Sequence, residues 1–92
     1  MQLSRTSTSF YRRLYIAYLI DCGVNTVPKL IAEIDIPRRT AQDTLLALGD
    51  IGIKCVFIGE RKNGCYSIES WGVIDKDKLA LEVETIKLAL GY

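Results

Sequence analysis

The sequence predicts a mainly α-helical fold with one small β-hairpin and an additional C-terminal helix. Apolar residues recur at helical spacing along most of the chain, and the pattern changes to strand-like alternation only within residues 53–70. There, two runs rich in β-branched and aromatic residues flank Asn63-Gly64, a pair typical of tight hairpin turns. With 92 residues, the chain is long enough for one modest core, so these elements are expected to form a single unit.

The chain opens with the polar stretch MQLSRTSTS, which predicts a flexible arm over residues 1–9. Ser7 or Ser9 offers an N-cap for a first helix that runs from Phe10 to Cys22. Apolar side chains point in nearly every direction around this helix, so we expect it to be covered on several sides.

Two shorter helices follow, joined by the turn Asp35-Ile36-Pro37. Thr26 is expected to cap the second helix, and the third is expected to run over residues 38–50. In the turn, Asp tolerates left-handed backbone, Ile36 supplies an apolar plug and Pro37 begins the next helix. The side chains of the third helix expected to face inward are Ala41, Leu45 and Leu48.

The last helix, capped by Asp75, carries apolar stripes on opposite sides. One stripe consists of Leu79, Val83, Ile86 and Leu90, and the other of Leu81, Thr85, Leu88 and Tyr92. A domain this small rarely covers both stripes, so residues 75–92 are expected to form a homodimerisation element beside a domain over residues 10–74. The alternative is a helix lying in a groove of its own domain. Tyr11 and Tyr15, whose aromatic stripe most simply indicates core packing, are further candidates for the interface.

The charge distribution indicates where an anionic partner would dock. The net charge is only +1, which argues against a protein that coats nucleic acid. Residues 1–66 nevertheless carry nine Lys or Arg against six Asp or Glu, whereas residues 67–92 carry three against five. The positive surplus therefore lies in the first two thirds of the chain.

Catalysis, metal binding and membrane insertion are not expected. The chain contains no histidine, and its three cysteines, Cys22, Cys55 and Cys65, lack metal-binding spacing. It has no glycine-rich phosphate loop and no nucleophile in a known motif, so neither an enzyme nor a cofactor is predicted. No membrane span or cleavable leader is apparent, which favours the cytoplasm.

The stretch TVPKLIAEIDIPRRTAQDTLLALGDIGI, followed by a hairpin with a basic tip, resembles the winged helix-turn-helix of bacterial DNA-binding regulators, in particular its small stand-alone members. The resemblance covers residues 10–70, with Asp35 standing where a turn glycine is usual. It implies a three-helix core, a two-stranded wing and a third helix that enters the major groove of duplex DNA.

The resemblance also implies which residues contact DNA. Arg39, Gln42 and Asp43 point outward from the third helix, where arginine suits guanine and glutamine suits adenine. Thr40 is suited to a contact with either a base or the DNA backbone. The residues implied for the phosphate backbone are Arg38 and, at the wing tip, Arg61, Lys62 and Asn63.

Other interpretations of the same residues are open. The paired arginines also fit a solvated start to a core helix. The near-zero net charge and Asp43 suit a winged helix that serves as a protein-interaction or assembly module, and binding of structured RNA is a third possibility.

Overall fold

The computed structural model describes residues 3–92, and over this range the elements follow the predicted order. Four α-helices accompany one two-stranded antiparallel hairpin, so the mainly helical fold class is confirmed. The elements are α1 (Arg5–Asp21), α2 (Val27–Ile34), α3 (Arg38–Ala47), β1 (Lys54–Ile58), β2 (Cys65–Ser70) and α4 (Lys76–Leu90). A single 3-10 turn, Leu48–Ile51, connects α3 to the hairpin.

Helix α1 begins earlier than the sequence predicts. The Ser4 hydroxyl accepts a hydrogen bond from the Ser7 amide at 3.1 Å and caps the helix, so the prediction of a flexible arm through residue 9 is wrong for residues 5–9. The Thr8 hydroxyl donates to the Ser4 carbonyl at 2.8 Å, which shows how hydroxyl side chains accommodate a helical first turn. Met1 and Gln2, also part of the predicted arm, lie outside the described residues.

The middle of α1 forms the centre of the core. Ile16 and Ala17 are 0% exposed because α3, α4 and β2 all pack against this helix. The expectation that α1 is covered on several sides is therefore confirmed. The most buried core residues outside α1 are Leu30, Ala41, Leu48 and Ile53.

The helix-turn-helix geometry also agrees with the sequence. The Thr26 hydroxyl caps α2 by accepting from the Lys29 amide at 3.3 Å. Asp35 adopts the left-handed conformation, with φ 50° and ψ 52°, and Ile36 is buried in the core. The predicted inward residues Ala41, Leu45 and Leu48 are buried, although α3 ends at Ala47 rather than at residue 50 and Leu48 begins the 3-10 turn. The opposite face of α3 is therefore presented to solvent.

The hairpin turn differs from the predicted Asn63-Gly64 turn. Six residues, 59–64, separate the strands, and Gly59 rather than either residue of that pair has a positive φ, 96°. The Glu60 carbonyl closes the loop by accepting from the Asn63 and Gly64 amides at 3.1 and 2.6 Å. Gly64 is required for space, because a Cβ there would overlap the Phe57 ring and the Glu60 carbonyl oxygen.

Only one stripe of α4 is buried within the domain. Leu79 and Ile86 are each 6% exposed, whereas Leu81 and Leu88 are 85% and 75% exposed. The alternative in which α4 buries more than one face in its own domain is therefore wrong for these two leucines. The Asp75 side chain caps the helix by accepting from the Lys78 amide at 3.0 Å, as predicted.

Tyr15 is not available to a second subunit. Its side chain is only 3% exposed and lies in the core of its own chain, so its assignment to a dimer interface is wrong. The half-buried Tyr92 packs nearby, with ring centroids 5.9 Å apart, and its hydroxyl accepts from Arg12 Nε at 2.9 Å. Tyr92 therefore contributes to the covering of Tyr15, together with the rest of the core.

We expect Gly72→Ala to destabilise the fold by about 2–4 kcal/mol, from left-handed strain and overpacking together. Gly72 has φ +61°, and a Cβ there would overlap the backbone carbonyl of Gly52. Gly91→Ala is the matched control, because Gly91 has φ +80° with open space around its Cβ position. Urea unfolding followed by circular dichroism should show a larger decrease in the free energy of unfolding for Gly72→Ala than for Gly91→Ala. Equal losses would contradict the steric argument.

Candidate functional site

The solvent face of α3 presents polar side chains from its first two turns. Arg38, Arg39, Gln42 and Asp43 are exposed, whereas Thr40 is half-buried. Arg39 Nε lies 3.8 Å from Asp43 Oδ2 across one helical turn, with the two side chains 91% and 68% exposed. Ion pairs this exposed contribute little stability, so the guanidinium of Arg39 can exchange Asp43 for another acceptor at small cost.

A cleft of about 700 Å³ separates the start of α3 from the hairpin. We call it the wing cleft and define it by Arg38, Gln42, Phe57, Arg61, Lys62 and Tyr66. Phe57 and Tyr66 are cross-strand partners whose rings meet edge to face, with centroids 5.0 Å apart. They form an aromatic wall of the cleft.

The three cations of the wing cleft come from two separate elements. Arg38 begins α3, whereas Arg61 and Lys62 lie in the wing loop, residues 59–64. Within residues 3–92, no carboxylate lies within ion-pair distance of any of the three. Their positive charges are therefore available to an anion that spans the cleft.

Four of the predicted residues do not line the wing cleft, namely Arg39, Thr40, Asp43 and Asn63. Asn63 is exposed at the wing tip but does not line it. Thr40 and Asp43 border a smaller cleft of about 340 Å³ on the other side of α3, together with Ser9, Arg12 and Arg13 of α1. Arg13 Nη2 lies 3.9 Å from Asp50 Oδ2. The adjacent arginines of α1 are a cationic signal that the sequence-based site prediction missed.

An apolar furrow continues from the wing cleft along α3. We define it by Gln42, Leu45, Leu46, Cys55 and Tyr66, so it shares Gln42 and Tyr66 with the cleft. Leu46 is 84% exposed at its edge. Burial raises the pKa of the Cys55 thiol, which keeps this side chain neutral at physiological pH.

No metal site or membrane-crossing helix is present in the described part of the chain. Within residues 3–92, no three His, Cys, Asp or Glu side chains are grouped closely enough to hold a metal ion. None of the helices there is both long enough and apolar enough to cross a membrane.

Comparisons with known proteins agree with this architecture. Residues 5–90 match a protein family described as winged helix-turn helix. The crystal structure of a DUF2131 family protein from Shewanella amazonensis SB2B is similar, with a TM-score of 0.90 and 32% sequence identity. The similarity covers 97% of this chain and 95% of that one. No curated protein matches the chain.

Proposed function

Because the chain belongs to the winged helix-turn-helix family, we propose that it is a homodimeric transcriptional regulator that binds duplex DNA. The observation that supports this most strongly is the wing cleft, where α3 and the wing loop bring to one concave surface three cations that have no ion-pair partner within residues 3–92. A phosphate backbone is the extended anion that suits such a surface. In this proposal α3 enters the major groove and the wing loop lies on the adjacent backbone.

The two arginines at the start of α3 have separate roles in this arrangement. Arg38 faces the wing cleft and contacts phosphate together with Arg61 and Lys62. Arg39 and Gln42 reach base edges, because they lie three residues apart on the exposed face of α3. Thr40 and Asn63 add contacts at the margins of this surface.

Asp43 fits the same surface in either of two ways. It accepts from a cytosine amino group, or it remains paired with Arg39 and limits the local positive charge. Both arrangements keep its carboxylate away from phosphate.

We propose that the dimer forms through Leu81 and Leu88 of α4. These side chains are seven residues apart, so they lie on the same helix face and both point away from the domain. A two-fold axis through this face would place Leu81 against Leu88 of the partner subunit and bury all four leucines. The exposed residues Lys78, Glu82 and Glu84 carry both signs of charge beside the stripe.

The proposal assigns no catalytic step, cofactor or metal to the chain, and it places the protein in the cytoplasm with its DNA. Winged helix-turn-helix domains are in general binding modules, and the wing cleft offers cations and aromatic rings rather than a nucleophile paired with a base.

Selection of random duplex DNA against the purified protein tests the proposal. We expect enrichment of an inverted repeat whose half-sites lie about 34 Å apart, one helical turn, or a multiple of that distance. A variant carrying Arg38→Ala and Arg61→Ala should show much weaker retention of every duplex. The proposal fails if no sequence is enriched and the protein has no duplex affinity at low salt.

The second candidate function is a protein-interaction or assembly module. The observation favouring it is the exposure of Leu46 and Phe57, 84% and 46%, on the face assigned to DNA. Failure of the duplex selection, with these side chains still exposed, would favour this candidate.

A further inference from the structure

We infer that Leu46 is a specificity-determining residue that packs against the 5-methyl group of a thymine in the major groove. This inference rests on the proposed function, because it requires α3 to lie in that groove. It adds to that function a preference for an A·T base pair at one defined place in each half-site.

The position of Leu46 on α3 is the first argument. Leu46 lies seven residues after Arg39 and four after Gln42, so all three side chains share one face of the helix. At about 1.5 Å per residue, Arg39 and Leu46 are about 10 Å apart along the axis. This equals about three base-pair steps, so one recognition surface can include both residues.

The chemistry around Leu46 is the second argument. Its side chain is 84% exposed, and the furrow beside it is lined by Leu45, the neutral thiol of Cys55 and the ring of Tyr66. In the described part of the chain no charged residue lines this furrow, in contrast to the wing cleft. The furrow itself therefore offers phosphate no cationic side chain among the described residues. The thymine methyl is the apolar group that a base presents in the major groove.

Gln42 links this end of the surface to the base-reading end. It lines both the wing cleft and the furrow, and a glutamine suits adenine through paired hydrogen bonds. With Gln42 on an adenine, Leu46 one turn further along α3 meets a neighbouring base pair. The surface then favours an adenine and a thymine in nearby base pairs.

Deoxyuracil substitution provides the test, because uracil lacks only the 5-methyl group of thymine. In the duplex enriched by selection, each thymine is replaced in turn by uracil, and dissociation constants are measured by fluorescence anisotropy. With the unmodified protein, we expect replacement at one position per half-site to weaken binding about fourfold, the effect of exposing one methyl group. Leu46→Ala should remove the difference between thymine and uracil at that position.

Val73→Ala is the matched control. Val73 is 95% exposed and lies in the connection between β2 and α4, outside both the wing cleft and the furrow, so its variant should keep the full sensitivity to uracil. The measurement of uracil-containing duplexes with the unmodified protein does not depend on whether any variant folds. The inference is overturned if no single uracil weakens binding, or if Leu46→Ala retains the sensitivity, and either result would favour a protein contact at Leu46. Absence of any duplex binding instead overturns the proposed function.

Discussion

Replacing Arg38, Arg61 and Lys62 by alanine is expected to weaken binding to every duplex by about the same factor. These cations line the wing cleft without a carboxylate partner in the described chain, so each is available to displace counterions from phosphate. The slope of log K against log salt should fall by about one unit for each contact removed. The sequence preference should survive, because phosphate is the same in every sequence.

Arg39→Ala and Gln42→Ala should have a different signature. Each should cost roughly 1–3 kcal/mol on the preferred duplex and relax the preference at particular base pairs. On a duplex of scrambled sequence the loss of binding free energy should be much smaller. This difference separates the adjacent arginines, because only one of them is assigned to base edges.

Fluorescence anisotropy on the preferred and scrambled duplexes, over a series of salt concentrations, measures both effects. Lys78→Ala is the charge-matched control, since it removes one exposed cation from α4 rather than from the α3 and wing surface. It should change neither the slope nor the preference. If all five substitutions leave binding unaltered, the assignment of these residues to DNA is wrong.

The double variant Leu81→Glu with Leu88→Glu is expected to be a folded monomer. Both leucines are exposed, 85% and 75%, so the glutamate carboxylates would be solvated in the isolated subunit. In a dimer the same carboxylates would repel one another across the interface. Light scattering should report the mass of one chain, while circular dichroism remains that of the unmodified protein. Because a monomer contacts only one half-site, its affinity for the inverted repeat should also be lower.

Leu79→Glu with Ile86→Glu is the comparison variant, since it alters the same helix at the same spacing. Both of these side chains are 6% exposed, so two carboxylates would have to enter the core without partners, and we expect unfolding rather than a monomer. The dimer proposal is wrong if the unmodified protein already runs as a monomer at tens of micromolar, a typical concentration for such a measurement.

Local patterns predicted most of the fold. The inward positions of α3, the left-handed turn at Asp35 and the cap at Asp75 follow from spacing and backbone preference, and all are confirmed. The family match over residues 5–90 confirms the predicted winged helix-turn-helix. The start of α1 was predicted too late. Several serines can cap this helix, and Ser4 is the N-cap rather than Ser7 or Ser9.

Features that depend on distant parts of the chain were less accessible from sequence. Tyr15 packs against Tyr92 from the other end of the chain, and no local pattern indicates that contact. The wing cleft likewise requires Arg38 to face Arg61 across two elements. The resemblance implied that both contact DNA, but their common cleft became apparent only in three dimensions. The contacts assigned to these residues remain predictions.

The contact between α1 and α4 has a consequence for synthesis of the protein. Arg12 and Tyr92 are hydrogen-bonded although 80 positions separate them, and α1 packs more extensively against α4 than against any other element. A nascent chain that has reached the end of the hairpin therefore still presents the α4-facing side of α1 to water. We therefore expect closure of the core to require that α4 has left the ribosome, with the apolar face of α1 open until then to chaperones and to other nascent chains.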